Sequence, residues 1–392
     1  MATQKTPAPP LAIYIHWPFC KKKCPYCDFN SHVRDAIDAE GWRQALIREL
    51  LYWQPLTHNH RVTSIFFGGG TPSLMPPAIL AALIDTVRES WNCASDIEIT
   101  MEANPTSVES VNFAAAAKAG VNRLSLGVQS LRPEALKFLG REHSESEARS
   151  AIALAAEHFP RYSFDLIYAL PGQTLDAWKT ELREALTYAR GHLSLYQLTI
   201  EENTAFHHQY HHDQAFTLPE EALAAEMYEL TQRIMEEAGL PAYEISNHAA
   251  SGHESRHNLS YWRGESYLGI GAGAHGRLDI GDGVRLATRN LKSPERWLEQ
   301  TQRLGHGLEE NTPLDAATRT EEKLLMGLRL IREGLNLKSL HEDERALLLP
   351  RLASHRLKKL QDEHLITYEN ECLCVTPKGA LLLNAITAAL SA

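Results

Sequence analysis

Three cysteines crowd together in Cys20-Lys-Lys-Lys-Cys24-Pro-Tyr-Cys27, a CxxxCxxC arrangement. Thiolates are strong ligands for soft metals, and iron–sulfur clusters are held by them, usually four per cluster. Three thiolates on a four-iron cube leave one iron with no protein ligand. That open position suits a small molecule bearing an amine and a carboxylate. The same spacing is also compatible with a structural zinc ion or a redox thiol pair, although zinc sites more often use paired CxxC groups or add histidine. No second pair follows. Cys93, Cys372 and Cys374 stand apart and read as structural, the last two in a short surface hairpin.

The elements that must position these thiols alternate in type. Leu11–His16 reads as a strand and Ala36–Trp53 as a helix, with Trp42, Leu46, Leu50 and Trp53 at helical spacing. Thr63–Phe67 is the next strand, followed by Gly68-Gly69-Gly70-Thr71-Pro72. Glycines let a backbone approach a ligand closely, and Pro72 fixes the turn. Alone, this is an ordinary strand-to-helix turn. Further strands are predicted over Asp96–Glu102, Arg123–Gln129, Tyr162–Tyr168 and His192–Ile200, each followed by helical periodicity. Six strand–helix units in a row predict a parallel sheet with helices outside it, as a barrel, a partial barrel or an open doubly wound sheet.

The strand ends carry polar groups. Cys20 and Gly68–Gly70 follow the first two strands, Glu102 and Gln129 end the third and fourth, and Asp165 lies late in the fifth. In parallel α/β barrels the active site is built on that face.

Residues 241–310 are rich in Gly, His and aromatic residues and read mostly as loop with short strands. Residues 311–392 read as helix, helix, hairpin, helix, a winged-helix-like pattern. The expected division is a core over 1–240, a connecting region over 241–310 and a small domain over 311–392. The formal net charge of −10 disfavours nucleic acid as a partner. No apolar run reaches the roughly 20 residues that span a bilayer, and the polar, Pro-rich N-terminus lacks a secretory pattern. The expected location is the cytoplasm.

Taken together, Tyr14-Ile-His16-Trp-Pro18-Phe19-Cys20-x3-Cys24-x2-Cys27, GGGTP, Glu102 and Gly127-Val-Gln129 resemble the radical S-adenosylmethionine (SAM) family. The resemblance covers nearly the whole chain. Its branch is that of the oxygen-independent coproporphyrinogen III oxidases and the HemW-type heme chaperones. It implies a partial parallel (β/α)6 barrel and a 4Fe-4S cluster on Cys20, Cys24 and Cys27 with SAM on the open iron. An electron entering the cluster would cleave SAM to a 5′-deoxyadenosyl radical. By the same resemblance Tyr14, Gly69 and Glu102 contact the cluster-bound SAM, Glu102 through the ribose hydroxyls. Tyr26, Gly70, Thr71, Gln129, Arg141 and Asp165 match positions around a second SAM in the oxidases.

Two departures set the chain apart from the oxidases. They resemble CxxxCxxCxC, whereas Asp28 and Phe29 follow Cys27 here; and only thirteen residues precede Tyr14, where the oxidases carry a longer segment. His257-Asn258-Leu-Ser-Tyr261-Trp262 matches the HNxxYW motif of the chaperone branch. Six such residues alone would be a core histidine with two core aromatics. Within the resemblance they point to heme, with His257 as its ligand. The expected partners are a heme-accepting protein and an electron donor. The alternatives are a porphyrinogen oxidase and, outside the family, a zinc-stabilised winged-helix regulator.

Two further patterns do not fit a site. Gly271-Ala-Gly273-Ala-His-Gly276 fits GxGxxG but lacks the helix that should follow. His207, His208, His211 and His212 read as a solvated loop.

Overall fold

The computed structural model describes residues 8–34, 36–281 and 283–391. Residues 1–7, most of the segment read as free of a secretory pattern, lie outside the described residues.

Six strands run parallel in chain order: β1 (Pro10–Trp17), β2 (Arg61–Gly69), β3 (Asn92–Ala103), β4 (Arg123–Gln129), β5 (Arg161–Tyr168) and β6 (His192–Gln197). They form the incomplete barrel. Alternate residues face opposite ways along each strand. Leu11, Ile13 and Ile15 of β1, Ile65 and Phe67 of β2, and Ile99 and Met101 of β3 pack under the outer helices in one core. Trp42, Leu46 and Leu50 of the helix Ala39–Thr57 join them, as their helical spacing predicts. The opposite residues, among them Tyr14, His16, Ser64, Glu98, Glu102 and Asp165, face the interior. That face is far more polar than a parallel sheet buried on both sides usually shows.

The region expected to be mostly loop is instead part of the sheet. β7 (Asn247–Ala249) pairs antiparallel with β6, closing one edge. β8 (Ser266–Ile270) runs parallel to β1, and β9 (His275–Asp279), β10 (Arg285–Asn290) and β11 (Leu308–Pro313) continue antiparallel beyond it. The order is β11-β10-β9-β8-β1-β2-β3-β4-β5-β6-β7. Strand β11 spans the boundary expected between 310 and 311 and belongs to the sheet. After the GxGxxG pattern comes strand β9, not a helix. The HNxxYW motif is also helical, over Arg256–Trp262, capped by the Ser255 hydroxyl.

Beyond Leu314 a second core forms. Helices Ala316–Gly327, Glu342–Leu352 and His355–Asp362 enclose a small sheet whose hairpin strands are Ile366–Glu369 and Cys372–Val375. The four histidines read as loop lie on and just after the helix Ala205–His211. His207 and His211 lie one turn apart, their rings tilted at 50° with centroids 4.5 Å apart. No described helix is long and apolar enough to cross a membrane.

Candidate cluster and SAM site

The cysteine loop leaves β1 and is stitched shut behind the thiols. Phe19–Cys20 pairs with His32–Val33, and the Cys27 amide donates to the Cys24 carbonyl at 3.1 Å. Cys20, Cys24 and Cys27 are free thiols, half-buried, lining a cavity of about 620 Å³. Burial pushes the Cys20 and Cys27 thiols up. A guanidinium stands beside the third: Arg141 Nη1 lies 3.2 Å from Cys24 Sγ and 3.3 Å from the Tyr26 hydroxyl. Its Nη2 donates to the Gly127 carbonyl at 2.8 Å and to Asn104 Oδ1, while Nε is buried without a partner.

The glycine loop is sewn to the segment before the thiols. The Gly70 amide donates to the Trp17 carbonyl at 2.7 Å and the Thr71 amide to the Phe19 carbonyl at 2.9 Å. A Cβ on Gly70 would sit 2.6 Å from the Phe19 oxygen, so only glycine fits. Gly69, at φ +113°, leaves no room for a side chain beside His16. Its amide donates to Glu102 Oε2 at 3.1 Å.

Glu102 thus has one donor and otherwise faces the cavity. Burial, then the neighbouring Asp165, pushes it up to about 8. Burial pushes Asp165 up to about 6 against the pull of Ser194, Arg123 and Arg141. Gln129 ends β4 at φ 69°, a left-handed conformation that non-glycine residues hold at a cost of about 1–3 kcal/mol and that collects at functional sites.

The three cysteines, Tyr26, Gly69, Gly70, Thr71, Glu102, Gln129, Arg141 and Asp165 all line this one cavity. Tyr14 lies deeper on the inner face, its hydroxyl 2.9 Å from His16 Nδ1. The sequence reading missed Asn104 and Glu109. The Asn104 amide side chain lies between Arg141, Thr71 and Glu109. Buried Glu109 accepts from the Ser73 hydroxyl and the Asn104 amide. Extending the Thr100, Glu102 alternation by two residues would have found Asn104.

His257, expected as a heme ligand, lies outside this cavity. Its side chain is 1% exposed and does not line the cavity. Nδ1 lies 3.0 Å from Ser64 Oγ and Nε2 2.8 Å from the Tyr261 hydroxyl, so both ring nitrogens are engaged. Trp262 lies under the Arg329 guanidinium, 4.5 Å from its ring centroid. Within the motif His257 and Leu259 are buried, whereas Asn258, Tyr261 and Trp262 are half-buried.

The Radical SAM superfamily profile matches residues 14–185, and the HemN C-terminal domain profile residues 314–382. The chain is 39% identical over 381 residues to the bovine (Bos taurus) radical S-adenosyl methionine domain-containing protein 1, mitochondrial, covering 96% of this chain and 86% of that one. It is 39% identical over 325 residues to the heme chaperone HemW of Escherichia coli K12, covering 82% and 83%. The crystal structure of E. coli coproporphyrinogen III oxidase (HemN) superposes with a TM-score of 0.80 at 24% identity, over 99% of this chain and 91% of that one. The chain belongs to the HemW branch of the radical SAM superfamily.

A radical SAM protein binds a 4Fe-4S cluster and SAM, and the residues present fit both. Three uncrosslinked thiols, a buried guanidinium with an unused N–H, a side-chain-free glycine edge and a carboxyl with spare acceptor capacity converge on one cavity. The zinc alternative finds no such match. Among the described residues no three His, Cys, Asp or Glu side chains gather tightly enough around one ion, whereas a cube takes its thiolates on separate corners.

Proposed function

We propose that this protein is a heme chaperone on a radical SAM scaffold, taking up heme and passing it to an acceptor protein. The carrying observation is the 39% identity to E. coli heme chaperone HemW across most of both chains. In this reading Cys20, Cys24 and Cys27 hold the cluster. Tyr14, Gly69 and Glu102 receive SAM, and Tyr26, Gly70, Thr71, Gln129, Arg141 and Asp165 complete the wall around it.

When bound, the cluster supplies an open iron position and a single electron. The chain's own residues do the rest. Gly69 and Gly70 bring the backbone against the ligand. Glu102 accepts hydrogen bonds from hydroxyls, a task for its ionised form, and the Gly69 amide aims it. Arg141 places positive charge beside Cys24 and offsets the negative charge that thiolates bring. The Phe19–Cys20 pairing with His32–Val33 holds the cysteine loop in shape behind the thiols.

The coproporphyrinogen oxidase reading is weaker, because Asp28-Phe29 follow Cys27 where those enzymes carry another cysteine, and the likeness to the oxidase structure at 24% identity concerns the fold. Six free thiols suit a reducing compartment, and we place the protein in the cytoplasm, with an electron donor there. Relatives in animals bear the name mitochondrial. The test is a hemin titration of anaerobically reconstituted full-length protein, with and without SAM, beside a coproporphyrinogen decarboxylation assay. Saturable hemin binding with no decarboxylation is expected. Decarboxylation without saturable hemin binding would reverse the assignment.

A further inference from the structure

The helix Arg256–Trp262 fills the barrel at the end opposite the cysteine loop. Its first amides point at Glu98, which accepts from the Arg256 and His257 backbone at 3.2 Å each and pairs with Arg161 at 2.8 Å. A carboxylate at a helix N-terminus is favourable, and here it pins the helix to β3. Its side chains then climb toward the SAM site.

Above the hydrogen-bonded His257 imidazole lies Phe66, stacked at 4.9 Å and 26°. Phe66 stacks in turn on Tyr14 at 6.2 Å and 25°. His16 Nε2–H donates to the Asn30 carbonyl at 2.9 Å, which leaves Nδ1 to accept from the Tyr14 hydroxyl. Asn30 donates to the Ala272 and Lys292 carbonyls and so fixes the end of the cysteine loop. Gly69 rests against the His16 ring. The Tyr14 and His257 rings also lie 6.3 Å apart, so a compact cluster of rings links the motif helix to the glycine edge.

We propose that His257 is a positioning residue of the SAM site, holding Phe66 and Tyr14 against His16 and Gly69, and is not the axial ligand of heme. The inference rests on the reading of Tyr14 and Gly69 as SAM contacts. To reach a heme iron the ring would have to leave its pocket and abandon a hydroxyl on one nitrogen. Removing the ring leaves the Ser64 and Tyr261 hydroxyls unpaired and a void under Phe66, into which Tyr14 can sink.

The experiment compares wild type, His257→Ala, His257→Gln and Tyr261→Phe, each full-length and anaerobically reconstituted. Three quantities are read: SAM affinity by equilibrium dialysis, the change in the reduced cluster's EPR spectrum on adding SAM, and hemin affinity by Soret titration. His257→Ala should weaken SAM binding about tenfold and alter the SAM-induced spectrum, with iron, sulfide and hemin affinity unchanged. Gln keeps one hydrogen bond to Tyr261 but cannot replace an imidazole on heme iron, so His257→Gln should restore most of the SAM affinity. Loss of hemin affinity in both His257 variants with normal SAM binding would overturn the proposal. If His257→Ala does not fold, Tyr261→Phe decides. A severalfold loss of SAM affinity supports the proposal and an unchanged affinity overturns it. Failure of the wild type to bind hemin would remove the chaperone reading and leave the SAM comparison to be judged by itself.

Discussion

Glu49 and Glu102 are both carboxyls enclosed by protein, and their surroundings differ in one respect. Glu49, behind the sheet on the helix Ala39–Thr57, accepts from the Gly271 amide at 2.8 Å, the Gly307 amide at 2.7 Å, Asn290 Nδ2 at 3.1 Å and Trp297 Nε1 at 3.2 Å. Glu102 accepts from the Gly69 amide alone and turns its remaining capacity toward the cavity. Burial pushes Glu49 up to about 7 although its four donors pull it down, and pushes Glu102 up to about 8 with Asp165 adding to the rise. A buried carboxyl whose lone pairs are filled by protein is structural. One whose lone pairs are spare, beside thiols and a guanidinium with an unused N–H, is prepared for a ligand.

The largest effect tests the rim. Cys24→Ser should remove nearly all bound iron and sulfide and abolish SAM binding, measured by metal analysis and dialysis. Retention of a full cluster would break the assignment of the open iron.

The next tests Glu49. Glu49→Ala leaves buried donors without acceptors and should cost about 4 kcal/mol in denaturant unfolding. A loss below about 1 kcal/mol would show that the four donors find other partners.

Glu102→Gln should leave the fold intact and weaken SAM binding by roughly tenfold to a hundredfold, the worth of hydrogen bonds to a charged acceptor. It also sharpens the contrast through pH. The folded protein holds the Glu102 proton from the ordinary value of 4.5 up to about 8, so the ligand-free protein binds more protons than the unfolded chain in that window. Its stability therefore falls as pH rises. Glu49, held up to about 7, is half-ionised there and also releases protons between 7 and 8, so the Glu102 contribution is the difference in slope between wild type and a Glu102 variant. Thermal unfolding of ligand-free Glu102→Gln should show a shallower decline from pH 7 to 8 than wild type, the remainder coming from Glu49; an equal slope in both proteins would refute the assignment.

The smallest effect lies on the outer layer. Ser144 forms a capping box with Glu147 at the start of the helix Glu145–His158. Ser144→Ala should cost about 1 kcal/mol with no change in SAM affinity.

Much of this architecture was legible in the chain. The six parallel strands follow from short apolar runs alternating with helical periods, and the observed starts and ends lie within a few residues of the expected ones. The segment 241–310 was not legible, because glycines, histidines and short strands carry little local signal. β8 is placed in the sheet by pairing Leu11–Ile15 with Ser266–Ile270 from the far end of the chain. The GxGxxG pattern is explained by that placement, since the Gly271 amide serves Glu49. The surroundings of His257 were not legible either. Its identity and motif suggested a ligand, and only its surroundings revealed two occupied nitrogens.

The chain by itself determined that three thiols at CxxxCxxC spacing follow the first strand, that a glycine loop follows the second, and that carboxyls end later ones. These are local facts, carried by residue type, spacing and the two- and 3.6-residue periods. Only the tertiary structure decided that Arg141 reaches Cys24, that Glu102 keeps spare acceptor capacity while Glu49 keeps none, and that His257 of the HNxxYW helix sits between the Ser64 and Tyr261 hydroxyls. Each of these depends on which distant groups share an enclosed space, and burial and pairing are set there by long-range packing.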